Sequence, residues 1–246
     1  MSLIGRLLGR RQRWTESWQS FPGAVADAPA LWSVDLGAVD AAPISALPAR
    51  VDVTIAYPAG PDGLPTGHLA DAEVAVRTAV DALGGAYVGR VASQGQVRFT
   101  AHLPSEPAAG AITGLPEAAV HTEYDPQWAY VLDKLAPDVR QHRLLTDRAM
   151  VEALAEAGDT LGHPRPVSHV AYFSESRAAE AAAGELAGAG FATGVEPDID
   201  EGGFALTAVR ADPIAPPGVH DLSWDVQQRV ERHGGTYDGW TCAVTA

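Results

Sequence analysis

Between His169 and Val244 the apolar residues switch from a period of two to a helical period and back, twice, and each helical stretch ends on glycine. An expected strand at 169–173 leads into an Ala-rich helix, capped by Ser174 and stopped by Gly190, that aligns Ala179, Ala182, Ala183 and Leu186. Strands at 191–196 and 204–210 flank an acidic hairpin loop at 197–203. After the break at Pro216, Pro217 and Gly218 a second helix aligns Val219, Leu222, Val226 and Val230, Gly234 and Gly235 end it, and a last strand occupies 236–244. The order β-α-β-β-α-β leaves few architectures. The split unit of ferredoxin-like folds satisfies it, an antiparallel sheet with both helices on one face.

The first half repeats that order with a weaker second helix. Val51, Val53, Ile55 and Tyr57 alternate with Asp52, Thr54 and Ala56, as in a strand with one buried face. A turn at 58–65 leads to a helix with Thr66 as N-cap and Leu69, Ala72, Val76, Ala79, Val80 and Leu83 at helical spacing, stopped by Gly84 and Gly85. Strands at 87–92 and 97–103 share a hairpin, and the Gly- and Pro-broken stretch 107–119 allows at most a short helix before a strand at 120–124. Upstream, Trp14, Trp18, Phe21 and Trp32 punctuate an irregular lead-in that covers one sheet edge and ends at 31–36 in a first strand or edge extension. Downstream, Asp125 and Pro126 start a helix that aligns Trp128, Val131, Leu132 and Leu135 until Pro137; another begins at Thr146, aligns Met150, Val151 and Leu154, and stops at Gly158.

The expected whole is an α+β protein of two ferredoxin-like units joined by a helical linker. Its parts are a basic flexible tail at 1–17, a first domain at 18–148, the linker at 149–162 and a second domain at 163–246. The sequences GGAYVG at 84–89 and GGTYDG at 234–239 share the pattern GGxYxG at a helix-to-strand joint, a faint internal echo.

Charge narrows the function. Thirty-one Asp and Glu against 17 Lys and Arg give a formal −14 in 246 residues, a field that repels nucleic acid, so direct nucleic-acid binding is not expected. Arg6, Arg10, Arg11 and Arg13 form a separate basic tail, too interrupted by Gly5 and Gly9 for a secretory leader, though a basic amphipathic tail of this kind can touch an anionic membrane surface. No stretch is apolar enough to span a membrane, and one cysteine, Cys242, makes neither an intramolecular disulfide nor a CxxC site. A reducing, cytoplasmic location follows. The single lysine, Lys134, the absence of Asn and the abundance of Ala read as high-GC codon usage.

No phosphate loop, dinucleotide fingerprint, nucleophile elbow, zincin or EF-hand pattern occurs. The eight histidines lack metal-ligand spacing; His163, His169, His220 and His233 with nearby carboxylates form the only metal-site alternative, and neither metal nor cofactor is expected. Glu196, Asp198, Asp200 and Glu201 crowd one loop, where solvation, a basic protein contact and cation binding all remain open. The stretch 233–240, HGGTYDGW, is the most unusual. Alternation sends Tyr237 and Trp240 to opposite faces, so one aromatic packs in the core while the other joins Asp238 in an exposed recognition patch, or the whole stretch is structural.

HGGTYDGW, with HVAYF at 169–173 and the Ala-rich helix, resembles the bacterial regulator of ribonuclease E activity B family over about residues 158–245. That family is ferredoxin-like, and its founding type binds ribonuclease E and inhibits RNA processing without catalysis. VDLGAVDAAP, PDGLP, GGAYVGRV and YDPQWAYVLDKLAPD are similar to the bacterial domain of unknown function 695, over about 18–148. The resemblance carries over Gly234, Gly235, Tyr237, Asp238, Gly239 and Trp240, with His169, Tyr172 and Phe173. The family pattern places an acidic residue after the two glycines and another after the tryptophan; Thr236 and Thr241 stand there, and Val170 replaces an aromatic. The resemblance implies a non-enzymatic regulator of RNA metabolism that binds a ribonuclease E/G type enzyme or another basic protein surface. Tyr237, Asp238, Trp240, Asp198, Asp200 and Glu201 are the expected contacts. A small-molecule-sensing module and a metal-dependent hydrolase are the alternatives.

Overall fold

Eight strand pairings, all antiparallel, build two sheets in a computed structural model that describes residues 14–67, 69–108, 110–112, 117–198 and 202–245. The chain divides into two compact units, Met1–Gln141 and His142–Ala246.

The first unit runs β1 (Trp18–Val25), β2 (Ala28–Asp35), α1 (Leu36–Ala41), β3 (Ala49–Ala56), α2 (Ala70–Ala82), β4 (Ala86–Ser93), β5 (Gln96–Leu103) and β6 (Ala119–Tyr124), followed by a π-helical turn at Val131–Leu135. Its sheet order is β1-β2-β4-β5-β3-β6. The last four of these have the ferredoxin-like arrangement, first and third core strands in the centre, and the β1-β2 hairpin extends the sheet beyond β4. That hairpin is the expected lead-in, and β1 escapes a strand reading because it contains Pro22 and Gly23. An edge strand tolerates both. The short helix allowed at 107–119 is absent among the described residues.

Alternation along β5 decides the layers. Val97, Phe99, Ala101 and Leu103 face α2, where Val76 and Val80 join Val51 and Val53 in a buried cluster. Thr100 and His102 face the other way and are also buried, because Trp128 stacks on His102 at 4.0 Å. Both rings bond the Leu47 carbonyl, Trp128 Nε1 at 3.0 Å and His102 Nδ1 at 3.1 Å. Asp125 accepts from the amides of Ala129 and Tyr130, but Pro126 is not in the first turn as expected: Trp128 stands at φ +56° and the helical residues begin at Ala129. Thr66 does not cap α2; its hydroxyl donates to the Pro58 carbonyl instead.

The division between the units falls in the first turn of α3 (Val139–Glu156). Thr146, the expected cap, lies inside this helix and donates back to the His142 carbonyl. Residues 149–162 are not a bare linker: Val151 and Leu154 pack with Val167, Ile214, Val219 and Trp240 in the core of the second unit. Residues 1–13 of the expected tail lie outside the described residues, while Trp14 and Ser17 are held by the Asp35 carboxylate at 2.6 and 2.7 Å.

The second unit continues with β7 (Arg165–Phe173), α4 (Ser176–Gly188), β8 (Ala192–Pro197), β9 (Phe204–Asp212), α5 (Gly218–Arg232) and β10 (Thr236–Cys242), in sheet order β10-β7-β9-β8. This is the ferredoxin-like βαββαβ unit. Ala179, Ala182 and Leu186 of α4 and Val226 and Val230 of α5 bury against Ala171, Phe173 and Leu206. Ser174 is not the cap of α4, which starts after Glu175 without a side-chain cap bond.

The GGxYxG echo has a common geometry. Gly84 and Gly234 end their helices at φ +72° and +75°, Tyr87 and Tyr237 enter the core, and each strand then shifts register before Gly89 or Gly239. A β-carbon on Gly235 would overlap the Phe173 ring, whose Cδ1 lies 2.8 Å from it, whereas nothing lies within 4 Å of one on Gly184. Gly235→Ala is therefore expected to cost about 1–3 kcal/mol by overpacking. Gly184→Ala should stabilise by about 0.5–1 kcal/mol through helix propensity. Urea melts of the two variants check both signs.

Candidate functional site

β10 pairs Tyr237 with Ala171 but Gly239, not Asp238, with Val170, so Asp238 is the extra residue of a bulge. The insertion cancels simple alternation. Trp240, opposite His169, faces the same way as Tyr237, and the two rings are only 4% and 8% exposed. The expectation of one exposed aromatic in HGGTYDGW is thus overturned: both fill the core, and of Tyr237, Asp238 and Trp240 only Asp238 is exposed. Gly234 caps α5, Gly235 accommodates the Phe173 ring, and Gly239, at φ +151°, completes the bulge.

His169 is a core residue as well. Its Nδ1 shares a 2.7 Å hydrogen bond with the Tyr237 hydroxyl, while its Nε2 is buried without a hydrogen-bond partner. Burial pushes its pKa from 6.5 to about 4, against the attraction of Asp212 and with help from Arg210 and Arg143, so the imidazole is neutral at pH 7. Burial likewise raises the Tyr237 hydroxyl far above the ordinary tyrosine range.

Behind β10 the structure assembles a polar cluster that the sequence reading missed. Asp147 of α3, fully buried, accepts from Trp240 Nε1 at 2.9 Å and from the Ser223 hydroxyl of α5, and pairs with Arg143 Nε at 3.2 Å. His220 Nδ1 lies 3.6 Å from the same carboxylate. The guanidinium of Arg143 also sits over the Tyr237 ring, 5.2 Å from its centroid. The Ser, His and Asp types resemble a hydrolytic triad, but the geometry is not one. Ser223 donates to the carboxylate directly and is fully buried, leaving no nucleophile for a substrate. The cluster fastens α3 and α5 to the bulge. Beside it Arg143, Met150, Val170, Asp238 and Thr241 line a small cavity of about 200 Å³.

The other side of the sheet carries neither α4 nor α5, and α3 reaches only its β10 margin, where Arg143 and Met150 meet Val170, Gly239 and Thr241. Paired residues share a face, so Thr236, Tyr172, Ala205 and Glu196 form one row across all four strands. Gly239, Val170, Thr207 and Gly194 form the next, and Thr241, Ser168, Val209 and Ala192 a third. No Lys or Arg stands at these positions. Tyr172 is 42% exposed, the largest aromatic area the face presents, and Phe173 turns the other way into the core. Because of the bulge, Thr236 and Thr241, five residues apart, share this exposed face instead of opposing one another. Glu196 is exposed at its rim and Asp198, half-buried, opens the acidic turn, its backbone bonded to Gly202 and Gly203; Asp200 and Glu201 lie outside the described residues.

The histidines of the metal alternative are dispersed: His163 bonds Thr160, His169 is in the core, His220 faces Asp147 and His233 bonds Glu185. Among the described residues no three His, Cys, Asp or Glu form a group able to hold a metal. A second buried ion pair, Arg165 with Asp159, ties the start of β7 to the chain beyond β10 through the Thr245 amide at 2.7 Å. The Arg165 guanidinium and the amides of Thr245 and Leu161 hold the Asp159 carboxyl well below the usual carboxylate range. No described helix is long and apolar enough to cross a membrane.

Residues 146–242 match the family model described as Regulator of ribonuclease activity B, and residues 16–135 match Family of unknown function (DUF695). The two resemblances read from HGGTYDGW and GGAYVGRV are therefore both found, in tandem, with the family of unknown function first and the regulator family second. No curated protein matches the chain. Among solved structures, one described as an unknown protein from Galdieria sulphuraria is 13% identical, covering 79% of this chain and 98% of its own, with a TM-score of 0.23, too low to bear on fold or function.

Proposed function

We propose that the C-terminal unit is a non-enzymatic regulatory module that binds another protein through the face of its sheet turned away from α4 and α5. The observation that carries this is the face itself: three cross-strand rows without a cation, with Tyr172 exposed and Glu196 and Asp238 at the margin. A flat, charge-poor centre with an acidic rim suits a partner whose own rim is basic. Similarity to the ribonuclease regulators supports a ribonuclease E/G type endoribonuclease as the target, inhibited in the cytoplasm by occupation of a basic RNA-binding surface. Direct contact with nucleic acid is not part of this function, since the formal charge of −14 opposes it.

The contacts in this reading are the exposed Tyr172, Glu196 and Asp238 and the half-buried Asp198, with Asp200 and Glu201 of the acidic loop sequence; Tyr237 and Trp240 support them from beneath. Thr236 and Thr241 stand where the family pattern has acids, and both lie on the same exposed face. Capture of a purified ribonuclease E type catalytic domain is expected at low salt and should fail at high salt. Tyr172→Ala with Glu196→Lys should weaken it at least about tenfold, and Thr236→Glu with Thr241→Glu should tighten it about tenfold, roughly 1.4 kcal/mol. No retention of any such domain at low salt would end this reading.

A further inference from the structure

The N-terminal unit carries an open groove. Its sheet is covered by α2 on one face; on the other, Trp128 lies over His102 and the π-helical turn lies against β4 and Trp32. Beyond them the sheet is open, leaving a groove of about 710 Å³, within the range of small-molecule sites. Its floor is a cross-strand row, Trp32, Val91, Arg98 and Thr54, and its wall carries Tyr130 and Lys134.

The groove is braced on three sides. Trp32 Nε1 donates to the Lys134 carbonyl at 3.1 Å, Arg98 Nη1 donates to the Tyr130 hydroxyl at 3.1 Å, and the Gln94 amide reaches the Val25 carbonyl at 3.4 Å. The wall is a π-helical turn, closed by Ala136 N to Val131 O at 2.8 Å, a wide turn that recurs at functional sites. In a chain of charge −14 no acidic side chain among the described residues lines this groove. Among the described residues neither Arg98 nor Lys134 is in an ion pair. Asp52, which attracts Arg98 through space, is itself buried against Arg50 and Thr100.

We propose that this groove binds a small amphipathic carboxylate, its charge held between Arg98 and Lys134 and its apolar body over Trp32 and Val91. Two unpaired cations select an anion, and the apolar floor distinguishes such a ligand from inorganic phosphate. The site lies within the segment similar to the family of unknown function and is independent of the protein-binding face.

Lys134 is the only lysine, so the intact chain carries one ε-amine, and its acetylation by an N-hydroxysuccinimide ester can be followed by mass spectrometry with the N-terminal amine as reference. Octanoate at about 1 mM is expected to slow Lys134 labelling about fivefold, and octanamide should leave it unchanged. Arg98→Gln, an exposed position, should raise about tenfold the octanoate needed for the same fractional protection, each protein being compared with its own labelling without ligand. Absence of protection by octanoate, equal protection by octanamide, or protection by inorganic phosphate equal to that of octanoate would each overturn the proposal.

Discussion

Asp147→Ala is expected to destabilise the C-terminal unit by about 3–5 kcal/mol, the usual cost of removing one partner from a buried charge pair. The carboxylate is fully buried and accepts from Trp240 Nε1 and the Ser223 hydroxyl while facing Arg143. Its removal leaves a guanidinium only 9% exposed without its counter-charge and Trp240 Nε1 without an acceptor, while the Ser223 hydroxyl keeps only its 3.2 Å bond to the His220 carbonyl. Asp147→Asn keeps an oxygen for Trp240 but not the charge, so it should cost less than Ala. Native-state hydrogen exchange reads the effect unit by unit: β10 amides should lose protection while β3 amides keep theirs. A loss under about 1 kcal/mol would mean that apolar packing alone holds α3 to the bulge.

That cluster also shows where the sequence was readable. Arg143, Asp147, Val151 and Leu154 are the buried residues of α3 and share one helical stripe, so a charged i,i+4 pair in line with an apolar seam was the available signal. It was lost because the helix was expected to begin at Thr146. The β-α-β-β-α-β order of the second unit was legible because its strands and helices differ in period and its helices stop on glycine. β1 was not legible, since Pro22 and Gly23 break the local pattern and only pairing to β2 makes the strand. The site depended on a single inserted residue. Counting by twos from Tyr237 puts Trp240 outside, and only the register against β7 reveals that Asp238 is extra. The same insertion places Thr236 and Thr241 on one face, so the surface proposed for the partner was invisible in a sequence whose motif was plain.

The core imidazole makes the second unit acid-sensitive in a defined window. His169 has a pKa near 6.5 when unfolded and about 4 when folded, because burial penalises its charged form and its Nε2 meets no acceptor. The unfolded chain therefore binds the extra proton between those values. Stability from the neutral ring is complete above pH 6.5, falls as the pH drops, and is lost by about pH 4, a total of roughly 3 kcal/mol. Urea melts from pH 7 to 4 are expected to show this slope, and His169→Phe should flatten it, at the cost of about 1 kcal/mol at pH 7 for the lost bond to Tyr237. Asp159 acts lower, since its carboxyl is held well below the usual range and releases its contribution only in stronger acid. His102, also depressed by burial, acts in the first unit and in the same direction, so unit-resolved exchange is needed to separate the two. If β10 protection in His169→Phe fell with pH as steeply as in the parent chain, the slope would belong to other groups and the buried neutral imidazole would not be its source.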